Sequence, residues 1–299
     1  MKKSNKHRDA PVWYRRAMDI PYKDQVINVA GTDIHYLVWG HIDRPGLIFV
    51  HGGAAHAHWW THIASQFADV YRIAAIDLSG HGDSGWRDNY SLETWCDEVI
   101  AVAIDAKMEE KPIVIGHSLG GYVTMATAAN HPGKISGAIV LDSAVTAPDP
   151  EMQTNRRSQF ANPKVHPNIE TAIARFRTVP EQDHYEDYVM RHIAAMSLKT
   201  VDNGVTWKFD PSVFSGTRRS NADALLPRVT CRIALFRAEN GQMTSTIGSY
   251  MYEQLGRVAP VIEIPLAGHH MMLDQPLQVV TALRTILADW EHSLPFERD

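Results

Sequence analysis

Short runs of apolar residues recur along the chain, each bounded by glycine, proline or polar residues. Such almost continuously apolar runs are typical of strands buried on both faces of a sheet. They lie at residues 46–50, 72–76, 112–115, 137–141, 231–236 and 261–264. Two earlier runs, residues 25–30 and 34–39, flank a Gly-Thr-Asp turn and predict a hairpin.

Stretches with helical periodicity separate most of these predicted strands. They cover residues 58–67, 92–106, 119–130, 245–255 and 276–292. Strands that alternate with helices indicate a parallel sheet covered by helices on both faces. We therefore predict an α/β fold.

The alternation stops in the middle of the chain. Residues 145–226 are richer in charge, proline and aromatic residues and lack buried-strand runs, and helices are predicted near residues 168–178, 183–196 and 221–226. We predict one α/β core, residues 1–144 and 227–299, interrupted by a mostly helical insert at 145–226. The first two dozen residues are polar and are expected to lie across the surface.

Composition and charge argue against several classes of protein. The chain has 299 residues, 44% hydrophobic and 21% charged, which is ordinary for a globular protein. The net charge of −5 and the lack of a basic block beyond residues 2–8 argue against nucleic-acid binding. Two cysteines cannot form a disulfide scaffold, and neither an 18-residue apolar run nor a signal peptide is evident. We expect a soluble, cytoplasmic protein without a membrane partner; the oligomeric state stays open.

The strongest chemical signal is the sequence Gly-His-Ser-Leu-Gly-Gly at residues 116–121, between a predicted strand and a predicted helix. A serine on such a tight turn adopts strained backbone geometry, and its small neighbours make room for it. Its Oγ then projects above the carboxyl edge of the sheet, beside a helix N-terminus. Ser118 is therefore the candidate nucleophile.

A serine hydroxyl needs a base, and the base needs an acid that orients it. His269 follows Gly268 after the last predicted strand and is the candidate base, whereas the neighbouring His270 is better explained by packing. Two acids fit the chain order Ser, acid, His. Asp142 ends the strand at 137–141, and Glu239 follows the strand at 231–236.

Acyl transfer also needs two N–H donors for the oxyanion. Leu119, the residue after the serine, is one candidate. The other is Gly53, in the sequence His-Gly-Gly-Ala-Ala that follows the strand at 46–50, because a small residue lets the backbone approach the substrate.

Aromatic residues are candidates for the walls of a substrate pocket. Trp59 and Trp60 open the first predicted helix of the core, and Trp207 and Phe209 belong to an aromatic and methionine-rich insert. Such side chains suit an apolar acyl or alcohol group.

The sequence predicts no metal and no organic cofactor. His56 and His58 form a His-x-His pair, but the nearby Asp-His pair of a metal-dependent lactonase is missing. The glycines at 52 and 53 do not form a phosphate loop, because no Gly-Lys-Ser/Thr follows them.

Together these motifs resemble the α/β-hydrolase superfamily, in the branch with a helical cap domain. The resemblance rests on His-Gly-Gly at 51–53, Asp-Leu-Ser-Gly-His-Gly-Asp-Ser at 77–84, Gly-His-Ser-Leu-Gly at 116–120 and Gly-His at 268–269. It covers residues 25–144 and 228–292. It implies a mostly parallel eight-stranded sheet with a cap inserted after strand six, which corresponds to the insert at 145–226.

The resemblance also bears on the acid. The family usually carries an aspartate in the turn after strand seven, where this chain has Glu239 followed by Asn240 and Gly241. Some branches carry the acid at the end of strand six, a position that Asp142 occupies, so Asp142 is favoured over Glu239. A serine nucleophile argues against the dehalogenase and epoxide-hydrolase branches, which use aspartate.

We therefore expect a serine hydrolase that cleaves a small-molecule carboxylic ester or lactone through an acyl-enzyme on Ser118. Bulky substrates such as a macrocyclic lactone are included. The alternatives that share the triad are a carbon–carbon bond hydrolase of ring-fission diketones and a perhydrolase or acyltransferase. A ligand receptor without catalysis is a further alternative.

Overall fold

The computed structural model describes residues 9–108, 111–147, 164–216 and 222–293. In chain order its strands are β1 (Lys23–Val29), β2 (Thr32–Trp39), β3 (Gly46–Val50), β4 (Arg72–Ile76), β5 (Ile113–His117), β6 (Gly137–Leu141), β7 (Leu198–Val201), β8 (Gly204–Trp207), β9 (Arg232–Asn240) and β10 (Val261–Gly268). Its α-helices are α1 (Val12–Asp19), α2 (Thr61–Ala64), α3 (Leu92–Asp105), α4 (Leu119–Asn130), α5 (Ile169–Ala174), α6 (Asp187–Met196), α7 (Val213–Gly216), α8 (Ser245–Gln254), α9 (Met271–Asp274) and α10 (Pro276–His292).

One eight-stranded sheet organises the core, with the strand order β1-β2-β4-β3-β5-β6-β9-β10. The pairs β1–β2 and β2–β4 are antiparallel, and the others are parallel. The predicted α/β fold with a mostly parallel eight-stranded sheet is confirmed. Because β3, β5, β6, β9 and β10 run in the same direction, their carboxyl ends lie along one edge of the sheet, where every candidate catalytic residue is found.

Apolar side chains leave both faces of the sheet and form two cores. Along β3, Ile48 and Val50 join the cluster that contains α3 and α4 residues, and Leu47 and Phe49 join the cluster that contains α2 and α10 residues. All four side chains are fully buried. A strand flanked on both sides by helices needs apolar residues at every position, which explains the continuous runs in the sequence.

Two parts of the core differ from the sequence-based expectation. The predicted helix at 58–67 is broken into a 3₁₀ turn at Ala57–Trp59, the short α2 and a second 3₁₀ turn at Ser65–Phe67. The first two dozen residues do not simply lie across the surface, because residues of α1 reach the core. Tyr14 of α1 is fully buried and its hydroxyl donates to the Tyr188 carbonyl oxygen over 3.2 Å.

The described part of residues 145–226 holds three short helices, α5, α6 and α7, and a 3₁₀ helix at Asp223–Arg228. It also contains an antiparallel hairpin, β7–β8, that the sequence analysis did not predict. Residues 148–163 and 217–221 of the predicted insert and the basic residues 2–8 lie outside the described residues. Across the described segments, no helix combines the length and the hydropathy needed to cross a bilayer.

Candidate active site

Ser118 occupies the turn between β5 and α4. Its backbone angles, φ 53° and ψ −115°, are rarely adopted by a residue with a side chain, which costs about 1–3 kcal/mol. Two contacts hold the turn in place: the Ser118 N–H donates to the Leu141 carbonyl oxygen over 3.1 Å, and the Ser143 hydroxyl donates to the Ser118 carbonyl oxygen over 2.8 Å. The sharp turn is therefore tied to β6.

The glycines on either side of Ser118 are required by close backbone contacts. A side chain on Gly116 would overlap the Gly120 carbonyl oxygen and the Thr124 hydroxyl. A side chain on Gly120 would overlap the carbonyl oxygens at the end of β3. The Gly-x-Ser-x-Gly spacing thus reflects the tight packing of α4 against β3 and β5.

His269 and Asp142 form a buried pair at the same edge of the sheet. His269 Nδ1 lies 2.6 Å from Asp142 Oδ2, and the two side chains are 3% and 0% exposed. Asp142 directly follows β6 and has a φ of 45°, which aspartate tolerates better than most residues. Its Oδ1 accepts from the Ala238 and Met243 N–H groups, and its Oδ2 accepts from the Gln242 N–H over 2.7 Å.

These donors keep the Asp142 carboxylate ionised. Burial by itself would raise the pKa of Asp142, but the hydrogen bond and the charge interaction with His269 lower it, helped by the Gln242 and Met243 N–H groups. The net result is a pKa below the usual value. Glu239 points elsewhere: it is exposed and accepts from the Leu266 N–H over 2.6 Å. Of the two candidate acids, the structure brings Asp142 to His269.

The loop after β3 is fixed by the His51 imidazole. Leu78 N–H donates to His51 Nε2 over 3.1 Å, so Nδ1 carries the proton that is donated to the Gly52 carbonyl oxygen over 2.7 Å. A Cβ on Gly53 would lie 2.9 Å from Phe214 Cε1, so only glycine fits there without displacing that ring.

Leu119 is the first residue of α4. The first N–H groups of a helix have no acceptor within the helix, so the Leu119 N–H is available to a ligand. Gly53 lines a cleft together with Ser118, and Leu119 directly follows this serine in the chain.

This cleft contains about 210 Å³ of space between atoms, part of it open to solvent. It is lined by Gly52, Gly53, Ala55, Trp59, His117, Ser118, Val179 and His270. Within it, the centres of water-sized molecules have about 20 Å³, far less than the about 300–1,000 Å³ of typical sites for drug-sized ligands.

The four aromatic residues that the sequence analysis assigned to the pocket lie in different places. Trp59 lines the cleft. Trp60 is fully buried in the core with its ring 5.2 Å from that of Phe49, so the structure does not bring it to Ser118. Trp207 packs against Phe176 at 5.5 Å. Phe209 is buried with its ring 6.3 Å from Phe214, the residue that contacts Gly53.

Sequence reasoning missed two histidines and two apolar residues of the site. The sequence analysis assigns no role to His117 and explains His270 by packing. His117 Nε2 donates to the His269 carbonyl oxygen over 2.8 Å, which ties the serine turn to the histidine loop. Val179 and Phe214 reach the site from the predicted insert, and no local sequence signal marks them.

Burial keeps both extra histidines neutral. It lowers the pKa of His117 to about 3, with a further contribution from the neighbouring His269. The pKa of His270 is lowered well below its usual value, chiefly by burial and then by His117 and His269. The Gln182 side-chain oxygen accepts from the His270 N–H over 3.0 Å and holds this loop against the insert.

Two groups among the described residues have the spacing of metal ligands. One is His117, His269 and His270, and the other is His35, Asp77 and Asp83. In the second group Asp77 Oδ2 is already 2.8 Å from His35 Nδ1 and accepts from the Asp83 N–H, so it serves as a structural clamp.

Comparison with known proteins gives a consistent picture. The alpha/beta hydrolase family model matches residues 47–283. An esterase of Mycobacterium tuberculosis is 25% identical over 88% of this chain and 89% of its own. The lipase LipV of the same organism is 24% identical over 85% of this chain and 98% of its own. Among solved structures, E-2-(acetamidomethylene)succinate hydrolase aligns with a TM-score of 0.76 at 19% identity, over 90% of this chain and 100% of that one.

Proposed function

The chain belongs to the alpha/beta hydrolase family, and from that premise we propose that it is a serine hydrolase of carboxylic esters or lactones. The observation that carries the proposal is the 2.6 Å contact between His269 Nδ1 and Asp142 Oδ2, at the sheet edge where Ser118 sits on a strained turn. An aspartate that orients a histidine beside a half-buried serine is the arrangement that activates a hydroxyl for acyl transfer.

Each residue has one role in the proposed mechanism. Ser118 Oγ attacks the substrate carbonyl while His269 takes its proton, and Asp142 stabilises the resulting imidazolium. The N–H groups of Gly53 and Leu119 bind the oxyanion of the tetrahedral intermediate. His269 then gives the proton to the leaving alcohol. Water, activated by the same histidine, releases the acid and restores Ser118.

The relatives support ester chemistry. One is named an esterase and the other a lipase, and each alignment covers more than four-fifths of this chain. Neither relative specifies the acyl group or the alcohol that this chain would accept.

We assign substrate selection to residues 145–226, which we propose act as a cap over the core. Three contacts support the assignment. Val179 lines the cleft beside Ser118, Phe214 abuts Gly53, and Gln182 holds the backbone of His270. The narrow cleft favours a small acyl group at Ser118, and a bulky ester or macrocyclic lactone requires these cap side chains to move.

The test is hydrolysis of p-nitrophenyl esters of increasing acyl length. We expect wild-type turnover that falls about 10⁴-fold or more in Ser118→Ala, because the nucleophile is lost. Ser249→Ala removes an exposed serine of α8 and serves as the matched control. Equal turnover by Ser118→Ala and wild type would contradict the proposal.

Labelling with a fluorophosphonate separates the alternatives. A wild type that hydrolyses no ester but is labelled at Ser118 would be assayed on a dienoic diketone, because a carbon–carbon bond hydrolase uses the same activated serine. A wild type that is neither labelled nor active would favour the ligand receptor.

A further inference from the structure

Two side chains of the core hold the backbone beside the proposed base, His269. Asp274 of α9 accepts from the Gly268 N–H over 2.6 Å. His117, the last residue of β5, donates to the His269 carbonyl oxygen over 2.8 Å. The chain is therefore fixed by the core just before and just after the side chain of the base.

A third contact on this backbone comes from the proposed cap. Gln182 Oε1 accepts from the His270 N–H over 3.0 Å, and Gln182 Nε2 donates to the His184 carbonyl oxygen over 3.0 Å, so both ends of the amide are fixed. The same Oε1 packs against Gly268, where a Cβ would lie only 2.9 Å from it. Gln182 thus contacts the residue before the base as well as the residue after it.

Gln182 lies in the middle of a strap, residues 179–186, that is bonded to the loop of the base at both of its ends. Near the start of the strap, the His270 imidazole hydrogen bonds with the backbone of Pro180. At the end of the strap, the Glu186 N–H donates to the Leu273 carbonyl oxygen over 2.8 Å. The position of the strap and the position of this loop are therefore linked.

The strap also narrows the cleft beside Ser118. Val179 lines this cleft, in which the centres of water-sized molecules have only about 20 Å³. The other lining residues belong to the core, whereas Val179 is 40% exposed, so Val179 is the wall that can yield to a longer acyl group. Val179 and Gln182 are three residues apart on the same strap, so a displacement of Val179 also moves Gln182 away from the base.

We propose that Gln182 is a positioning residue for His269, and that the strap couples the size of the acyl group to the position of this base. A short acyl group leaves the strap in place, and His269 stays oriented to accept the Ser118 proton. A long acyl group displaces the strap and breaks the contact between Gln182 and the His270 N–H, so turnover falls although the ester still binds. The proposal rests on the proposed serine hydrolase function.

The positioning role is tested with Gln182→Met, which keeps the length of the side chain and removes the acceptor. With p-nitrophenyl acetate we expect kcat to fall about 10- to 100-fold, because a small misplacement of a catalytic group has an effect of this size. KM should stay almost unchanged, since Gln182 does not line the cleft. An unchanged kcat, or a rise in KM alone, would overturn the proposal.

Gln66→Met is the matched control. Gln66 is also half-buried, its Nε2 donates to the His62 carbonyl oxygen over 2.8 Å, and it does not line the cleft. This variant should retain the kcat of the wild type, and an equal loss of kcat in both variants would contradict the assignment to Gln182. Thermal unfolding shows whether each variant is folded. If Gln182→Met does not fold, Gln182→Ala also lacks the acceptor and provides the same comparison.

The coupling to acyl size is tested with p-nitrophenyl esters of increasing length. The ratio of kcat between wild type and Gln182→Met should be largest for the acetate and should approach one for long acyl chains. The reason is that a displaced strap no longer holds the base in either protein. A ratio that is the same for every acyl length would refute the coupling.

Labelling of Ser118 separates a failure of this proposal from a failure of the hydrolase function. A small fluorophosphonate reacts with an activated serine without ester turnover. Its rate of labelling should fall about 10- to 100-fold in Gln182→Met and stay unchanged in Gln66→Met. A wild type that is not labelled would contradict the hydrolase function and this proposal with it. Equal labelling rates in wild type and Gln182→Met would overturn the positioning role alone.

Discussion

Asp142 is placed to orient a histidine and not to exchange protons. It accepts hydrogen bonds from three backbone N–H groups besides its contact with His269, and its side chain is fully buried. A carboxylate with this many donors has little tendency to take up a proton, since protonation would sacrifice some of these bonds. Its role in the proposed mechanism is to fix the tautomer and the orientation of the imidazole.

Replacement of the acid tests this role. Asp142→Asn should lower kcat for ester hydrolysis about 10³–10⁴-fold, because an amide favours the wrong tautomer of His269. Glu239→Gln should leave kcat almost unchanged, since the new side chain can still accept from the Leu266 N–H. Steady-state kinetics of the two isosteric variants provide the measurement. A larger loss in Glu239→Gln than in Asp142→Asn would refute the assignment.

Residue-scale prediction from the sequence worked where a motif constrains the backbone. The serine turn could be located because only glycine fits on either side of it. The choice between Asp142 and Glu239 could not be made from spacing alone, since both lie at the carboxyl ends of neighbouring parallel strands, β6 and β9. Likewise, the sequence could not distinguish the adjacent residues Trp59 and Trp60. Because the 3₁₀ turn ends between them, Trp59 lines the cleft and Trp60 packs in the core.

At the scale of elements, the buried strands and the helices near 168–178 and 183–196 were predictable, whereas the hairpin of the proposed cap was not. The bounds of β3, β4 and β6 coincide with the apolar runs, because these strands have helices on both faces. The hairpin β7–β8 has partly exposed four-residue strands and lacks such a run.

The helix expected at 58–67 fails for another reason. Asp77 Oδ1 accepts from the Ala57 N–H over 2.6 Å and fixes a tight turn there, a tertiary contact that periodicity cannot reveal.

The proposed cap should control the size of the acyl group through Phe214, which abuts Gly53 beside the cleft. Phe214→Ala should shift the preference among p-nitrophenyl esters toward longer acyl chains, because it opens space beside the proposed oxyanion donor. Phe176→Ala is the matched control, since Phe176 is also a partly buried cap phenylalanine but packs against Trp207. The ratio of kcat/KM for long and short esters is the measurement. The same chain-length profile in all three proteins would show that Phe214 does not limit the site.

At the scale of the whole molecule, the protein buries an unusual number of neutral histidines. Burial is the main cause that lowers the pKa of seven of them: His51, His56, His58, His62, His81, His117 and His270. The folded state therefore binds fewer protons than the unfolded state below pH 6.5, the usual histidine pKa. Stability is fully present above that pH and is lost as the pH falls. The lowered pKa values of Asp77 and Asp142 act in the same direction at lower pH.

Three groups oppose this trend. Burial raises the pKa of Glu98 above its usual value, although its contacts with Ser79 and Arg87 act against the rise. The pKa of His35 is raised: burial lowers it, but its contacts with Asp77 more than offset the burial. Burial raises the pKa of Asp274 to about 6, so its contribution to stability is present at low pH and lost as the pH rises toward neutrality. Because only these three groups oppose seven buried histidines, we expect the free energy of unfolding to decrease from about pH 7 to about pH 5.

His62 isolates one part of this dependence. It is fully buried away from the cleft, its Nε2 donates to the Met272 carbonyl oxygen over 2.8 Å, and burial lowers its pKa to about 4. Between about pH 7 and pH 5 a histidine with this shift costs the folded state roughly 2 kcal/mol. His62→Gln retains a donor for Met272 but does not titrate. Urea denaturation at pH 7 and pH 5 measures the unfolding free energy of both proteins. The loss between the two pH values should be smaller in the variant than in the wild type, by roughly 2 kcal/mol. The exposed control His292→Gln should match the wild type. An identical pH dependence in His62→Gln and wild type would mean that His62 is not kept neutral by burial, and the same reasoning would then fail for the histidines beside Ser118.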